Sequence, residues 1–524
     1  MSENYIEKIH CLNFKGFRNR KIEGLNKGIN ILIGDNDTGK STLLLAIDLV
    51  LGANPNRVES IGLDRLMNQE VVEAFLGNAE KKFENLPVME VDLYLSDQGR
   101  EEFDGQHNID ETTANGIYLR CRPRDDLRNE IDEILALDNP AFPYEYYMVE
   151  IKGFAGEPIT PYKKPLRHLD IDNTKISNDY AAKAYVKAMY NANADEKEKN
   201  QLKYGYRHIK DGFSKTEFAE LNKRIDEDYG FAVKSNSKAN LETDLTISHK
   251  GIDIENLGVG AQCFIRTKFA LSKKTNIDVV LLEEPENHLS HTNMRKLIAS
   301  IKEASQSQVF VATHSSLVCS RLDLRSAILL GSFENEPIKL DDLSKDTAEF
   351  FMKAPSSSVL EFVLSEKNLL VEGDAEYILM EALYLKATGE PLQNSGISVI
   401  SVGGLSFPRY LDIAKLLSSK VAVVTDNDGD IQAAITDRYE KYDEIESIGV
   451  FHDKDIERRT FEICIYQDNK EICDALFLEG RKALTVQEFM LKNKSKVAFE
   501  IASRKAAEIE APEYINSAIA WLNS

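Results

Sequence analysis

The run GINILIGDNDTGKSTLLLAIDLVLG, residues 28–52, leaves a chain little freedom in how it folds. Ile29, Ile31, Leu32 and Ile33 make a short buried strand, Gly34-x4-Gly39-Lys40-Ser41 is a full P-loop, and the apolar text after it continues as a helix. The order is physical. Glycines let backbone amides from Asn36 through Gly39 to Thr42 wrap phosphates, and the amino end of the helix adds positive potential. Lys40 is placed to reach the β and γ phosphates, and the Ser41 hydroxyl to hold magnesium.

A P-loop needs carboxylates on a neighbouring strand. IDVVLLEEPENHLS, residues 277–290, supplies them. Val279 to Leu282 read as a buried strand, with Glu283 placed to hold magnesium and Glu284 to orient or deprotonate an attacking water. SQVFVATHSS reads as a further buried strand ending at His314, a histidine positioned for a γ-phosphate. Between the P-loop and these strands, VMEVDLYLS alternates like a half-buried strand. The charge-rich text from 177 to 232 reads as a compact helical insertion, since it lacks the four clean heptads of a coiled-coil arm.

After APSSS, residues 354–358, the pattern changes to strand, turn and helix. NLLVEGDAEYILMEALYLKATG carries Glu372 at a strand end and Glu376 one helical turn further on, so both face one pocket. GISVISVGGLSFPRYLDIAKLL repeats the plan, and SKVAVVTDNDGD is the third strand. This β-α-β-α-β order predicts a small parallel sheet with its ligand edge at the carboxyl ends of the strands. Taken alone, Asp426-x-Asp428-Gly429-Asp430 reads as a solvated turn. A calcium loop fits poorly, because Ile431 holds the place of the required glycine. Glu372 and Glu376 alter the balance. Together with Asp426 and Asp428 they make a cluster too repulsive to stay ionised without cations. Two magnesium ions, or manganese in their place, resolve that and suit phosphodiester hydrolysis.

The P-loop, LLEEPE and THS together resemble an ABC-type ATPase of the SMC/RecF-like branch, as does the early turn Phe14-Lys15-Gly16-Phe17-Arg18. Such ATPases close two heads around two ATP molecules, each completed by a signature loop of the other head. The candidate signature is LGVGAQ, Leu257 to Gln262, with Gly260 at its centre and Gly258 where a serine is expected. E-G-x-x-E followed by D-x-D resembles a Toprim domain, and a Toprim domain after an SMC-like ATPase resembles the OLD (overcoming lysogenization defect) family of nucleases. That resemblance adds Glu462 of RRTFEICIY as a metal ligand on a strand, Lys494 of NKSKVAFEIA as the lysine near the scissile phosphate, with Lys496 as its competitor, and Ser406 near a second metal. It implies a metal-dependent DNA endonuclease controlled by ATP, with a bacterial anti-phage role. It also implies a homodimer formed through the amino-terminal half, and a second defence component such as a helicase or a reverse transcriptase with its DNA. The readings left open are an RNA or tRNA nuclease and an SMC-like DNA-binding ATPase with an inactive Toprim module.

The expected class is therefore α/β: an ATPase in two parts, 1–176 and 233–352, around the insertion 177–232, then a Toprim domain over 359–524. The net charge of −22 argues against a nucleic-acid coat over the whole surface but not against a local groove. FKGFRNRK, with Lys15, Arg18, Arg20 and Lys21, and the stretch from Arg481 and Lys482 to Lys505 are the basic candidates. No run of 18 apolar residues predicts a membrane span. The opening MSENYIEKIH lacks the apolar segment of a secretory signal. The six scattered cysteines form no C-x-x-C pair. The expected compartment is the cytoplasm.

Overall fold

The computed structural model describes residues 4–159, 164–175, 179–225, 229–234, 241–272, 276–304, 306–331, 336–354, 358–404, 406–479 and 483–524. The chain forms two compact units, residues 1–314 with 326–337, and residues 315–325 with 338–524.

Two large sheets dominate the first unit, beside a small two-stranded one, Ser248–His249 with Ile252–Asp253. Phe17–Ile22, Ile6–Phe14, Met89–Leu95, Ala114–Pro123 and Tyr147–Gly153 lie side by side and antiparallel. Ala327–Leu329, Ile29–Ile33, Gln308–Ala312, Val279–Glu283 and His168–Asp172 form the parallel sheet in that order. The P-loop helix Lys40–Gly52 packs against strands of both, so Leu43, Ala46, Ile47, Val50 and Leu51 are all buried. This explains why the helix is apolar nearly all round rather than along one stripe.

Met89–Leu95 departs from the half-buried expectation: every one of its residues is buried. It is an interior strand, and its polar face is covered. Glu90 is ion-paired to Arg120 at 2.6 Å, and Asp92 accepts a hydrogen bond from Ile109 N at 2.6 Å. The described residues of 177–232 are mostly helical. Asp179–Asn193 buries Tyr185 and Met189, whereas Glu196–Glu217 has no buried residue. Ser177, Asn178 and residues 226–228 of that stretch lie outside the described residues.

The second unit holds a four-stranded parallel sheet, ordered Ile397–Ser401, Lys367–Val371, Lys420–Val424, Ile448–Phe451. The sequence pattern had shown three of these strands. The change of unit also falls earlier than the expected 353–358 join, of which Pro355, Ser356 and Ser357 lie outside the described residues. Helix Lys345–Lys353 packs with the second unit, because Thr347 Oγ1 donates to Asp412 at 2.9 Å and Phe351 meets the Tyr410 ring edge-on at 5.1 Å. All six cysteines are free and buried. Among the described residues, no helix is long and apolar enough to cross a membrane.

Candidate functional site

In the first unit the P-loop is fully formed. A Cβ at Gly34 would lie 2.3 Å from Thr38 Oγ1 and 2.6 Å from Leu330 O, so only glycine fits there. Gly39 turns the chain into the helix at φ +93°, a left-handed conformation that glycine tolerates. Lys40 folds back to donate to the Gly34 and Asp35 carbonyls, both at 2.7 Å. Burial lowers its pKa, and Asp35, Glu284, Asp37 and Glu283 pull it back up. Asn36 and Ser41 are exposed at the loop mouth, while Thr42 is buried.

Glu283 ends the strand Val279–Glu283, and Glu284 follows it at φ +44°. Glu284 N donates to Ala312 O at 2.9 Å, its Oε2 accepts from Asn287 Nδ2 at 2.6 Å, and its Oε1 lies 3.9 Å from His314 Nε2. The structure thus brings Lys40, Glu283, Glu284 and His314 to one edge of the parallel sheet. It also adds Glu286, which sequence reasoning passed over. Its Oε1 accepts from Thr313 Oγ1 at 2.6 Å and from His314 N at 2.9 Å, fixing the histidine's backbone. The candidate signature opens the helix Val259–Ala270. Gly260 is pressed against the His288 carbonyl, where a Cβ would stand 2.3 Å from the oxygen, and Gln262 Nε2 ties back to Leu257 O at 2.8 Å.

In the second unit, the carboxyl ends of Lys367–Val371 and Lys420–Val424 present Glu372 and Asp426. Glu376 joins them from the first turn of Asp374–Thr388. Asp426 Oδ1 accepts from Phe461 N at 2.8 Å. Glu462 is a correction: it stands on no strand but in the first turn of the helix Phe461–Asp468, 3% exposed. The edge beside Lys420–Val424 is already taken by Ile448–Phe451, so the FEICI stretch buries its apolar side chains as a helix instead. Of the two candidate lysines, Lys494 is the one paired with the cluster, its Nζ 3.0 Å from Glu462 Oε2. Asp428 is exposed at φ +52°. Ser406 heads the helix Phe407–Leu417, in a turn that Gly404 N anchors to Glu372 O at 2.9 Å. Arg481 and Lys482 lie outside the described residues.

Charge makes this cluster unusual. Burial, followed by Glu372, Glu376 and Glu462, pushes Asp426 up to about 8. Burial, with Glu462 and Glu372 adding to it, pushes Glu376 up to about 7. Burial and Asp428 raise Glu372, against the pull of Lys494 and Arg438. Arg438 is a second residue the sequence did not disclose, and its Nη1 is buried without a hydrogen-bond partner. Among the described residues no three carboxylate, histidine or cysteine side chains are gathered into a closed metal cage. Facing carboxylates hold each other apart when no cation lies between them. The donor set still fits a hard divalent cation: it is all oxygen, and Glu462 Oε1 is buried with no hydrogen-bond partner.

Fold and sites together define an ABC-type ATPase domain followed by a Toprim domain. Two AAA-domain family models match residues 8–228 and 167–320. Residues 363–428 match the family described as "Overcoming lysogenization defect protein-like, TOPRIM domain". The chain thus pairs ATPase-domain matches with an OLD-like Toprim match. It is 29% identical over 175 residues to the Old nuclease of Escherichia phage P2, which is 31% of this chain and 30% of that protein. It is 27% identical over 188 residues to the Septu protein PtuA of Bacillus mycoides, 34% of this chain and 26% of that one. It is 32% identical over 133 residues to the chromosome partition protein Smc of Thermoplasma acidophilum, 25% of this chain and 10% of that one. The chain therefore spans less than a third of the length of each relative.

Proposed function

We propose that this protein is a divalent-metal-dependent DNA endonuclease, controlled by its ATPase domain and acting in bacterial anti-phage defence. The observation that carries the reading is the convergence of Glu372, Glu376, Asp426 and Glu462 beside Lys494 at one sheet edge, in a chain with a complete P-loop. Similarity to the Old nuclease supports the nuclease part.

Glu372, Glu376, Asp426, Asp428 and Glu462 would hold magnesium or manganese. When bound, the metal supplies an activated water and neutralises charge on a phosphodiester. Lys494 neutralises charge building on the phosphate oxygens, and the partly buried Glu372, at its strand end, is the catalytic carboxylate as well as a metal ligand. In the ATPase domain, Asn36, Gly39, Lys40 and Thr42 bind the phosphates, and Ser41 and Glu283 hold the nucleotide's magnesium. Glu284 acts as the base for water, and His314 meets the γ-phosphate. Gly260 lies in the loop that completes a partner head's site. We assign the insertion to homodimer contact, because Leu202, Ile209 and Phe213 are exposed along one face of Glu196–Glu217. A second defence component remains part of the reading, and the proposed compartment is the cytoplasm.

The deciding experiment is nicking of supercoiled plasmid with magnesium or manganese, with and without ATP, alongside an RNA substrate. DNA nicking that needs metal is expected. Cleavage in excess EDTA, or cleavage of RNA alone, overturns the reading.

A further inference from the structure

Between the two aspartates of the D-x-D turn sits Asn427, which is 0% exposed while Asp428 beside it faces solvent. Its side chain is fully occupied in one task. Nδ2 donates to Asp453 O at 2.8 Å and to Asp455 O at 2.9 Å, and Oδ1 accepts from Gly429 N at 2.9 Å. An amide is the side chain that both donates twice and accepts here; a carboxylate has no proton to give the two carbonyls.

The residues on either side bond to the same loop. Asp426 Oδ1 accepts from Phe461 N at 2.8 Å, and Asp428 N donates to Arg459 O at 3.2 Å. Three consecutive residues of the turn are thereby knitted to residues 453–461, and that loop runs directly into Glu462. Its outer side is clamped by Arg458, whose Nε donates to Asp453 Oδ2 at 2.7 Å. The Arg458 Nη1 and Nη2 donate to the two oxygens of Asp468, each at 2.7 Å. This is a bidentate pair on the adjoining helix. Asp428 takes a left-handed backbone, φ +52°, which aspartate tolerates better than most non-glycine residues.

We infer that Asn427 is a positioning residue. It locks the Asp426–Asp428 turn to the 453–461 loop and so sets the spacing between the D-x-D carboxylates and Glu462 at the metal site. The inference rests on the metal-dependent reading of this cluster. Repelling carboxylates spread when their support is loosened, and outer partners of metal ligands govern affinity by roughly ten- to a hundredfold. Asn427 acts through the ligands and touches neither metal nor phosphate itself.

The test uses the full chain without nucleotide and manganese alone as the probe. Bound and free manganese are counted by electron paramagnetic resonance, and thermal melting is followed in parallel. Asn427→Ala is expected to raise the manganese dissociation constant by about tenfold or more. Arg458→Met, which loosens the loop from its far side, should give a smaller rise. Plasmid nicking by Asn427→Ala should shift its manganese midpoint by the same factor and recover at saturating metal. A purely structural residue would lower the melting temperature and leave the dissociation constant unchanged, and that result overturns the inference. Should Asn427→Ala not fold, Arg458→Met decides in its place: weakened manganese binding supports the inference, and wild-type affinity refutes it. Asp426→Ala separates the two failures. If wild type and Asp426→Ala bind manganese alike, the metal reading itself falls. If only wild type binds it and Asn427→Ala matches wild type, this inference alone falls.

Discussion

The two candidate sites treat charge in opposite ways. At the P-loop, Lys40 satisfies itself on the Gly34 and Asp35 carbonyls, and Glu284 leans on Asn287 and His314 at the solvent edge. Each charge has a local answer before any nucleotide arrives. In the Toprim unit, Glu376, Asp426 and Glu462 are buried, the half-exposed Lys494 is ion-paired to Glu462 alone among them, and burial and repulsion drive Glu376 and Asp426 toward neutrality. The first site is preorganised by its backbone. The second keeps an electrostatic deficit that a divalent cation would remove, so on the proposed reading it is the site more sensitive to metal.

The sharpest break in that comparison is Asp426→Ala. Plasmid cleavage should fall by more than about a hundredfold, beyond the usual reach of outer-sphere losses, while ATP affinity stays within about twofold, the two sites being in separate units. Near-normal nicking would remove Asp426 from the site. On the nucleotide side, Glu284→Gln should lower ATP hydrolysis by about 10²–10⁴-fold with little change in binding, since the amide is nearly isosteric yet a poor base. On the proposed ATP control, with the ATP-bound state taken as the restrained one, the same variant at equal ATP should cleave DNA less than wild type. Equal cleavage with and without ATP in both proteins would leave the domains merely tethered. Lys40→Ala should weaken ATP binding by about ten- to a hundredfold, the loss of a charge-assisted contact, as read by nucleotide titration.

A smaller effect comes from pH. Asp426 and Glu376 have folded-state values of about 8 and about 7, against 3.8 and 4.5 ordinarily. Between those limits the folded, metal-free site keeps protons that the unfolded chain has released. Their contribution to stability is therefore complete below the ordinary values and is lost as pH rises through the folded ones. The melting temperature of the EDTA-treated protein should drop between about pH 5 and about pH 8, and manganese should restore it. An unchanged melting curve in Asp426→Asn would detach the effect from this cluster. The smallest change is expected for Asp430→Ala. The Asp430 carboxylate is exposed and accepts from Ala433 N at 3.1 Å, a capping bond. Its removal should cost about 1 kcal/mol of stability and leave cleavage within about twofold.

Legibility in the sequence follows whether a feature is local. The P-loop, the paired Glu283 and Glu284, and the E-G-x-x-E and D-x-D turns could be read because glycines, apolar runs and acids at fixed spacing state a backbone path by themselves. Glu462 comes from the resemblance, which also implies a strand there; the helix Phe461–Asp468 replaces it, because a family's local pattern is a weak guide once tertiary context intervenes. Asn427, Glu286 and Arg438 gave no signal. Each acts on a partner far away in the chain, or beside one, and an asparagine between two aspartates looks like any turn residue.

By itself, then, the sequence determined the order of the two domains, the strand–loop–helix paths that end in phosphate- and metal-facing groups, and the residue types available there. Only the tertiary structure decided which lysine meets the acids, that Glu462 enters from a helix, and that a fourth strand closes the sheet edge against it. It also decided where the units divide. Hydrogen bonds within a turn are set by neighbours a few residues apart. The meeting of Asp426, Glu462 and Lys494, by contrast, depends on how separate elements pack around one core, and burial then gives their charges the energies that matter.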